Sequence, residues 1–420
     1  MTTQAQANTP AVGYVALVRG NGNFRNLWLG QIVSLLGDWF NLIASAALVG
    51  MLTQSGLAIG SLFVVRMLAP FLISPIAGVV ADRYNRKHIL IAADLVRAAV
   101  VFGFLLVRQP GDVWLLYTLT AVQLALSGFF FPARNAILPD ITRADELGAA
   151  NALSSATWSV MLALGAALGG LVSGTWGIYP AFVIDGITFL LSALFIWQVR
   201  VHSKPSLDAS DKSVAAAVGQ YVDGLRYLRQ HTDVLAVAVQ KGINSLFLSS
   251  GFQVLQVAIA QDVFVIGEGG GVSLGLMFAL AGVGTGIGPI LARKYTGDSN
   301  RALRWAIALG YLIGGLGMVL TAPLISFGAV LLGTALRGIG GGMIWVFSTQ
   351  LLLQSVPGQV RGRVFAMEFA IFYLASAAAS SLVGAGVDTG LGISGVIWWM
   401  AGLSLIPAGL WTLYVWRKQK

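Results

Sequence analysis

Apolar runs of about 18 to 25 residues, each long enough as a helix to cross a hydrocarbon core of roughly 30 Å, follow one another along nearly the whole chain. Short polar interruptions separate them. The pattern predicts membrane-spanning helices near 26–52, 57–80, 88–107, 112–132, 147–173, 179–199, 233–259, 271–292, 302–321, 324–348, 362–384 and 393–416. A transmembrane barrel would need segments of about ten residues with alternating polarity, and the runs do not alternate. The first run follows a polar start, "MTTQAQANTP", with no small-residue cleavage site, so it is read as a retained helix and not a signal peptide.

The longest polar stretch, 201–232, contains "HSKPSLDASDKS". It divides an N-terminal six-helix half, 1–200, from a C-terminal six-helix half, 233–420. Val214, Val218, Tyr221, Leu225 and Leu228 recur in it at helical spacing, with Asp223, Arg226 and Arg229 elsewhere on the wheel. An amphipathic helix on the cytoplasmic surface is expected. The halves also resemble each other weakly. "ADRY" at 81–84 aligns with "ARKY" at 292–295, and Gly148 aligns with Gly362 at nearly the same offset, which points to a duplicated unit whose halves rock against each other.

Composition agrees with the pattern. The chain is 56% hydrophobic and only 10% charged, with a mean hydropathy of +0.78, values that exclude a soluble globular protein. Its net charge of +9 invites a nucleic-acid reading, but placement argues otherwise. With both termini in the cytoplasm, all 26 Lys and Arg fall in cytoplasmic segments except Arg108, outside, and Arg66, Arg97, Lys241 and Arg337, within predicted spans. Basicity is a topology signal. The absence of cysteine excludes disulfides and thiolate chemistry, and the only histidines, His88, His202 and His231, all fall on the cytoplasmic side, which disfavours a zinc or protease site. Gly271-x-Ser273-x-Gly275 matches a nucleophile elbow formally but begins a membrane helix, not a strand-to-helix turn. An enzyme is not expected.

"GVVADRYNRK", Gly78 to Lys87, places four charged residues in ten positions between the second and third spans. Gly78-x-x-Ala81-Asp82-Arg83-x-x-Arg86-Lys87 resembles the signature loop of the major facilitator superfamily. "FRNLWLGQIVSLLGDWF", "FFFPARNAILPDI" and "QSVPGQVRGRVFAM" extend the resemblance over the chain, and together they resemble the bacterial drug-efflux branch, which includes macrolide-efflux and enterobactin-exporter-like proteins. The resemblance implies an all-α membrane fold of twelve transmembrane helices and alternating access. It also implies that Asp82 latches the cytoplasmic side by resting on the start of the eleventh helix near Arg361 and Arg363, in a gate formed with Gly78, Arg83, Arg86 and Lys87. Two departures stand out. The fourth span offers Gln123 where proton antiporters of the family carry Arg, and the fifth reads Gly165-Ala-Ala-Leu-Gly169-Gly170 without the family's proline.

A charge at the bilayer centre costs about 2.5 to 3.5 kcal/mol on insertion scales, so each one marks a partner or a function. Asp38, mid-span in the first helix, is a candidate proton site or else an ion-pair partner of Arg66 in the second. Arg337 is a candidate for an anionic substrate group, with Glu368 as its counter-carboxylate. These four are the expected coupling residues. Asp94, Arg97 and Asp185, in spans that the resemblance places at the periphery, read as a buried structural network, and Lys241, beside Gln240 and Asn244, is open to two readings, held inside or snorkelling to the cytoplasmic interface. Gly165/Gly169, Gly284/Gly288 and Gly338/Gly342 are spaced for close helix packing. Trp39, Phe40, Trp158 and Trp345 are deep enough to line an apolar pocket.

The expected function is export of a hydrophobic or amphipathic small molecule, drug-like or siderophore, by proton antiport across a bacterial inner membrane. A lysophospholipid flippase or a transport-inactive receptor on the same scaffold is the alternative. Small-molecule substrate, protons and lipid bilayer are the expected partners, with no nucleic acid, no cofactor or metal, a proton gradient as energy source, and a monomer as the functional unit.

Overall fold

Helix boundaries here are set by side chains that meet otherwise unpaired backbone donors. In the computed structural model, which describes residues 13–143, 145–201, 214–297 and 299–418 apart from side chains at 78–79, 81–83, 214–218, 220–221 and 359, Asn21 accepts the N–H of Phe24 at 3.0 Å and Ser55 that of Ala58 at 3.2 Å. Asn85 accepts the N–H of Lys87 at 3.0 Å and Ser326 that of Ala329 at 3.2 Å. A short surface helix, α1 (Tyr14–Gly20), leads into the six helices of the first half: α2 (Gly22–Thr53), α3 (Gly56–Arg83), α4 (Arg86–Gly103), α5 (Val113–Ile141), α6 (Leu147–Thr175) and α7 (Ile178–Trp197). The connecting helix α8 (Val214–Gln230) follows.

The seventh span is broken. It runs as α9 (Thr232–Ala238), α10 (Gln240–Asn244), a π turn over Ser245–Ser249, α11 (Ser250–Ala258) and a second π turn over Ile259–Val263. Then come α12 (Gly271–Thr296), α13 (Asn300–Thr321), α14 (Phe327–Ser355), α15 (Gly358–Val387) and α16 (Gly392–Arg417). Among the described residues, twelve helices are long and apolar enough to cross a membrane. The fold is all-α, as the sequence pattern predicts.

The fourth helix departs from expectation. Pro132 does not end it: α5 continues through Pro132 and Pro139 to Ile141, because neighbouring helices tolerate a missing N–H inside a bundle. Arg134, read as cytoplasmic, is therefore inside the helix and buried. The amphipathic connector forms as expected and lies on the start of α15, where Gly224 approaches the Arg363 backbone so closely that a Cβ would overlap it.

One end of the bundle carries α1, the end of α16 and α8, and is called the linker face; the other is the distal face. The halves meet at the distal side. Gly170 on α6 faces Gly275 and Gly271 on α12, Gly56 and Gly60 on α3 face Gly384 and Ser380 on α15, and Gly174 faces Gly267 and Val272. At each of these glycines an added Cβ would come within 3.0 Å of the opposing backbone or side chain. Glycine here sets how closely the halves approach. Gln261 extends the seam by donating to the Ala47 carbonyl at 2.8 Å, and Asp388 completes it by accepting Ser55 Oγ at 2.8 Å and the N–H of Leu57 at 3.0 Å.

Candidate functional site

Two buried charge clusters, one in each half, occupy the middle of the bundle. In the first half, α2 supplies Asp38, α4 supplies Asp94 and Arg97 one turn apart, and α7 supplies Asp185. Arg97 Nη2 meets Asp38 Oδ1 at 2.6 Å, and Arg97 Nη1 lies 3.4 Å from both Asp94 Oδ1 and Ser34 Oγ. Ser192 Oγ donates to the other Asp94 oxygen at 2.6 Å. The Phe189 ring covers the guanidinium at 3.9 Å, so the cation is held by charge and by a π face together.

Asp38 thus pairs with Arg97 and not with Arg66. Among the described residues Arg66 has no carboxylate within ion-pair distance, although Asp38 and Asp185 are the charges that act on it. The supposed peripheral network therefore reaches the first helix. Exposure is uneven across the pair: the Arg97 side chain is 2% exposed and that of Asp38 is 27%. Asp38 opens onto a narrow crevice lined by Gln31, Ser34, Phe130, Phe131 and Arg134, with about 10 Å³ of free space, the room one water takes.

Arg134 closes the linker-face side of that crevice. It donates to Gln31 and, at 2.7 Å, to Ser154 Oγ, joining α5 to α2 and α6. The fourth helix therefore does carry an arginine, lower in the helix than Gln123. Its signal was available in "FFFPARN", and the proline concealed it.

In the second half, Glu368 pairs with Lys241 and not with Arg337. The Lys241 ammonium lies 3.0 Å from Glu368 Oε2, with both side chains at most 2% exposed. It also sits 4.5 Å from the Trp345 ring centre and 5.0 Å from that of Phe369. Lys241 does not snorkel, because a buried acid and two aromatic faces hold it inside. Arg337 instead donates to the Leu248 carbonyl at 3.2 Å and covers the Phe252 ring at 4.5 Å. Leu248 belongs to the first π turn, whose Ser245 hydroxyl is tied to Ser250 at 2.7 Å and to Ser376 at 2.5 Å.

Aromatic side chains gather beside this cluster. Trp345 stands edge-on to Phe372 at 5.1 Å and to Phe369 at 6.1 Å, and Tyr373 approaches Phe71 of the other half at 6.0 Å. Of the deep aromatics singled out in the sequence, Phe40 is buried, Trp39 is half-buried against Phe278 at 6.0 Å, and Trp158 is exposed. Ser273 is buried and donates to the Phe264 carbonyl.

Four basic residues of the expected gate have partners in their own half or on the connector α8. Arg86 donates to Asp140 at 2.7 Å and to the Ala136 carbonyl at 3.1 Å, and Lys87 donates to the Trp197 carbonyl at 2.7 Å. Arg361 caps the end of α14 through the Leu353 and Val356 carbonyls at 3.1 and 3.2 Å, and Arg363 lies 3.5 Å from Asp223 on α8. The side chains of Gly78, Asp82 and Arg83 lie outside the described residues. No cluster of His, Asp and Glu suited to a metal occurs among the described residues.

Comparison with known proteins agrees with this architecture. The putative bacilysin exporter BacE of Bacillus amyloliquefaciens is 24% identical, over 91% of this chain and 93% of its own. Macrolide efflux protein A of Streptococcus pyogenes is 23% identical, over 84% and 86%. Among solved structures, a bacterial homologue of the human lysosomal transporter Spinster superposes with a TM-score of 0.73 at 14% identity, covering 94% of this chain and 96% of that one. The family model of the Major Facilitator Superfamily matches residues 27–380, most of the chain, and the protein belongs to that superfamily of membrane transporters.

Proposed function

We propose that this chain exports a hydrophobic or amphipathic small molecule, drug-like or siderophore, from the cytoplasm in exchange for protons, by rocking its two halves about a site near mid-membrane. The observation that carries the reading is the Asp38–Arg97 pair: a carboxylate deep in the bundle, bonded to a sealed arginine yet open to a water-sized crevice. Such a carboxylate takes up a proton when water reaches it and its partner cation is drawn away. The printed names of the Bacillus and Streptococcus relatives support the export direction. The wall of Trp345, Phe369, Phe372 and Tyr373 suits an apolar, aromatic-accepting cargo.

The positive-inside rule supports cytoplasmic termini, which makes the linker face cytoplasmic and the sealed glycine seam the outer gate. Asp82 belongs to the opposite gate in this reading. The protein acts as a monomer without a cofactor. Purified protein in liposomes under an imposed pH gradient tests the proposal, with a panel of lipophilic dyes, a siderophore and a fluorescent lysophospholipid as cargo and a lumenal pH reporter. Cargo-dependent proton movement that Asp38→Asn abolishes is the expected result. Cargo movement with no proton counterflow overturns antiport, and movement of the lysophospholipid alone favours a flippase.

A further inference from the structure

Among the described residues, Asp185 is the most poorly served acid of the first cluster: its one donor is the Asn41 amide, and no guanidinium lies within ion-pair distance of it. Its carboxyl is fully buried, and the Asn41 amide approaches it without the geometry of a good hydrogen bond, so both oxygens and that amide nitrogen are poorly paired. The pocket that holds it is specific. An added Cβ on Gly37 would overlap both Asp185 Oδ1 and Thr188 Oγ1, so Gly37, the chain neighbour of Asp38 on α2, is what admits the Asp185 carboxyl. On the far side, Gly186 leaves room for the Phe102 ring.

The charges facing Asp185 are Asp38 on α2, Arg66 on α3 and Arg97 on α4. Asp94 joins the cluster through Arg97. Two guanidinium cations therefore confront three carboxyl groups. Asp38 and Asp94 are both bonded to Arg97, and Arg66 balances the remaining negative charge. A third ionised carboxylate would leave the buried cluster one charge out of balance on the group with the poorest hydrogen bonding, where an unsolvated anion is least tolerable.

We infer that Asp185 is a neutral carboxylic acid in this state and holds the proton that the transport cycle moves, with Asp38 as its outlet to water. This rests on the antiport reading above. The two carboxyls do not touch in this state, so transfer follows a side-chain shift or a water that bridges them. The O–H bond of Asp185 breaks and a proton bonds to the Asp38 carboxylate, leaving Asp185 ionised and able to draw Arg66 and Arg97. Asp38 then passes the proton to water in the crevice. One proton leaves, the cluster gains one negative charge, and no co-reactant is consumed.

The test uses the full-length protein in lipid nanodiscs, by infrared spectroscopy in H2O and D2O, and the same variants in liposomes. At neutral pH the wild type should show a protonated-carboxyl stretch that shifts in D2O, absent from Asp185→Asn and present in Asp94→Asn. In liposomes, Asp185→Asn should lower proton-driven transport about tenfold or more while cargo exchange at equal pH stays within about twofold of wild type, and Asp185→Glu should restore part of the coupling. A band that survives Asp185→Asn, or that the wild type lacks, overturns the inference. So does full coupling in Asp185→Asn alongside a coupled wild type. An uncoupled wild type overturns the antiport reading itself.

Discussion

The Asp388 carboxylate, at the C-terminal end of α15, accepts the backbone N–H of Gly56, the first residue of α3, at 2.6 Å. A residue of the second half thereby caps a helix of the first, and the positive end of the α3 dipole faces the acid. Partial desolvation works to raise the Asp388 carboxyl, but the donors from Leu57, Ser55 and Gly56 outweigh it and hold the carboxyl below its ordinary range. Its contribution is therefore complete at neutral pH and is lost only as pH falls through that depressed value.

Removing the cap should loosen the distal face. Because Asp388 is exposed, solvent screening keeps the loss near the low end of capping energies, about 1 kcal/mol, or roughly a fivefold shift in the open-to-closed ratio. Distance measurements between labels on the distal loops of Asp388→Ala check this. The chain has no native cysteine, so paired labels report only where they are placed. The wild type should keep its closed population through mildly acidic buffer. Identical distance distributions in variant and wild type would sink the capping role.

Arg97 holds two carboxylates at once, at 2.6 Å from Asp38 and 3.4 Å from Asp94. Arg97→Ala should lower stability by about 3 to 5 kcal/mol, the cost of leaving buried acids uncompensated, whereas Asp38→Asn should cost much less because Asp94 remains. Thermal unfolding in detergent, followed by loss of monodispersity, ranks the two. Equal melting temperatures would contradict the arrangement.

Lys241 and Glu368 form an isolated pair in the second half. Lys241→Met and Glu368→Gln should each destabilise, and the double variant should recover at least about 1 kcal/mol of the summed loss, since no unpaired charge remains. A double-mutant cycle on thermal stability measures the coupling. Additive losses would mean that the two side chains do not support one another.

At the glycine seam, Gly275→Val should wedge α12 from α6, because a Cβ there would overlap Gly170 and the Ala166 carbonyl. The expected outcome is normal folding with the distal face held open and transport lost. Faster alkylation of cysteines introduced along α6 near Gly174 would report it, and wild-type protection would exclude it.

Much of the fold was legible because hydrophobic run length is a one-dimensional property, set by membrane thickness. Helix α5 shows the limit: Pro132 ends a helix in water, but in a bundle the segment stays helical to Ile141 and takes Arg134 inside. The identities of the buried charges were also readable, since each is costly wherever it sits. Their pairings were not. Asp38 looked matched to Arg66 by depth, yet helix rotation turns Arg97 toward it; Glu368 looked matched to Arg337, yet the π turn at Ser245–Ser249 offers Arg337 a carbonyl and leaves Glu368 to Lys241. Rotation about a helix axis and a one-residue widening of a turn leave no trace in hydrophobic periodicity. Asp388 was invisible for a different reason, because its partner is the backbone of a helix more than three hundred residues away.

Where α6 meets α12, peptide planes of Gly170 and Gly275 lie against each other with no side chain between them. Interlocked side chains must change rotamer one after another before two helices can part, and each change adds a step to the path. The crossing at this glycine pair has no such teeth. In the proposed rocking motion this crossing would yield smoothly, much like a plain bearing. In the proposed cycle the tempo would then be left to the charged groups deeper in the bundle.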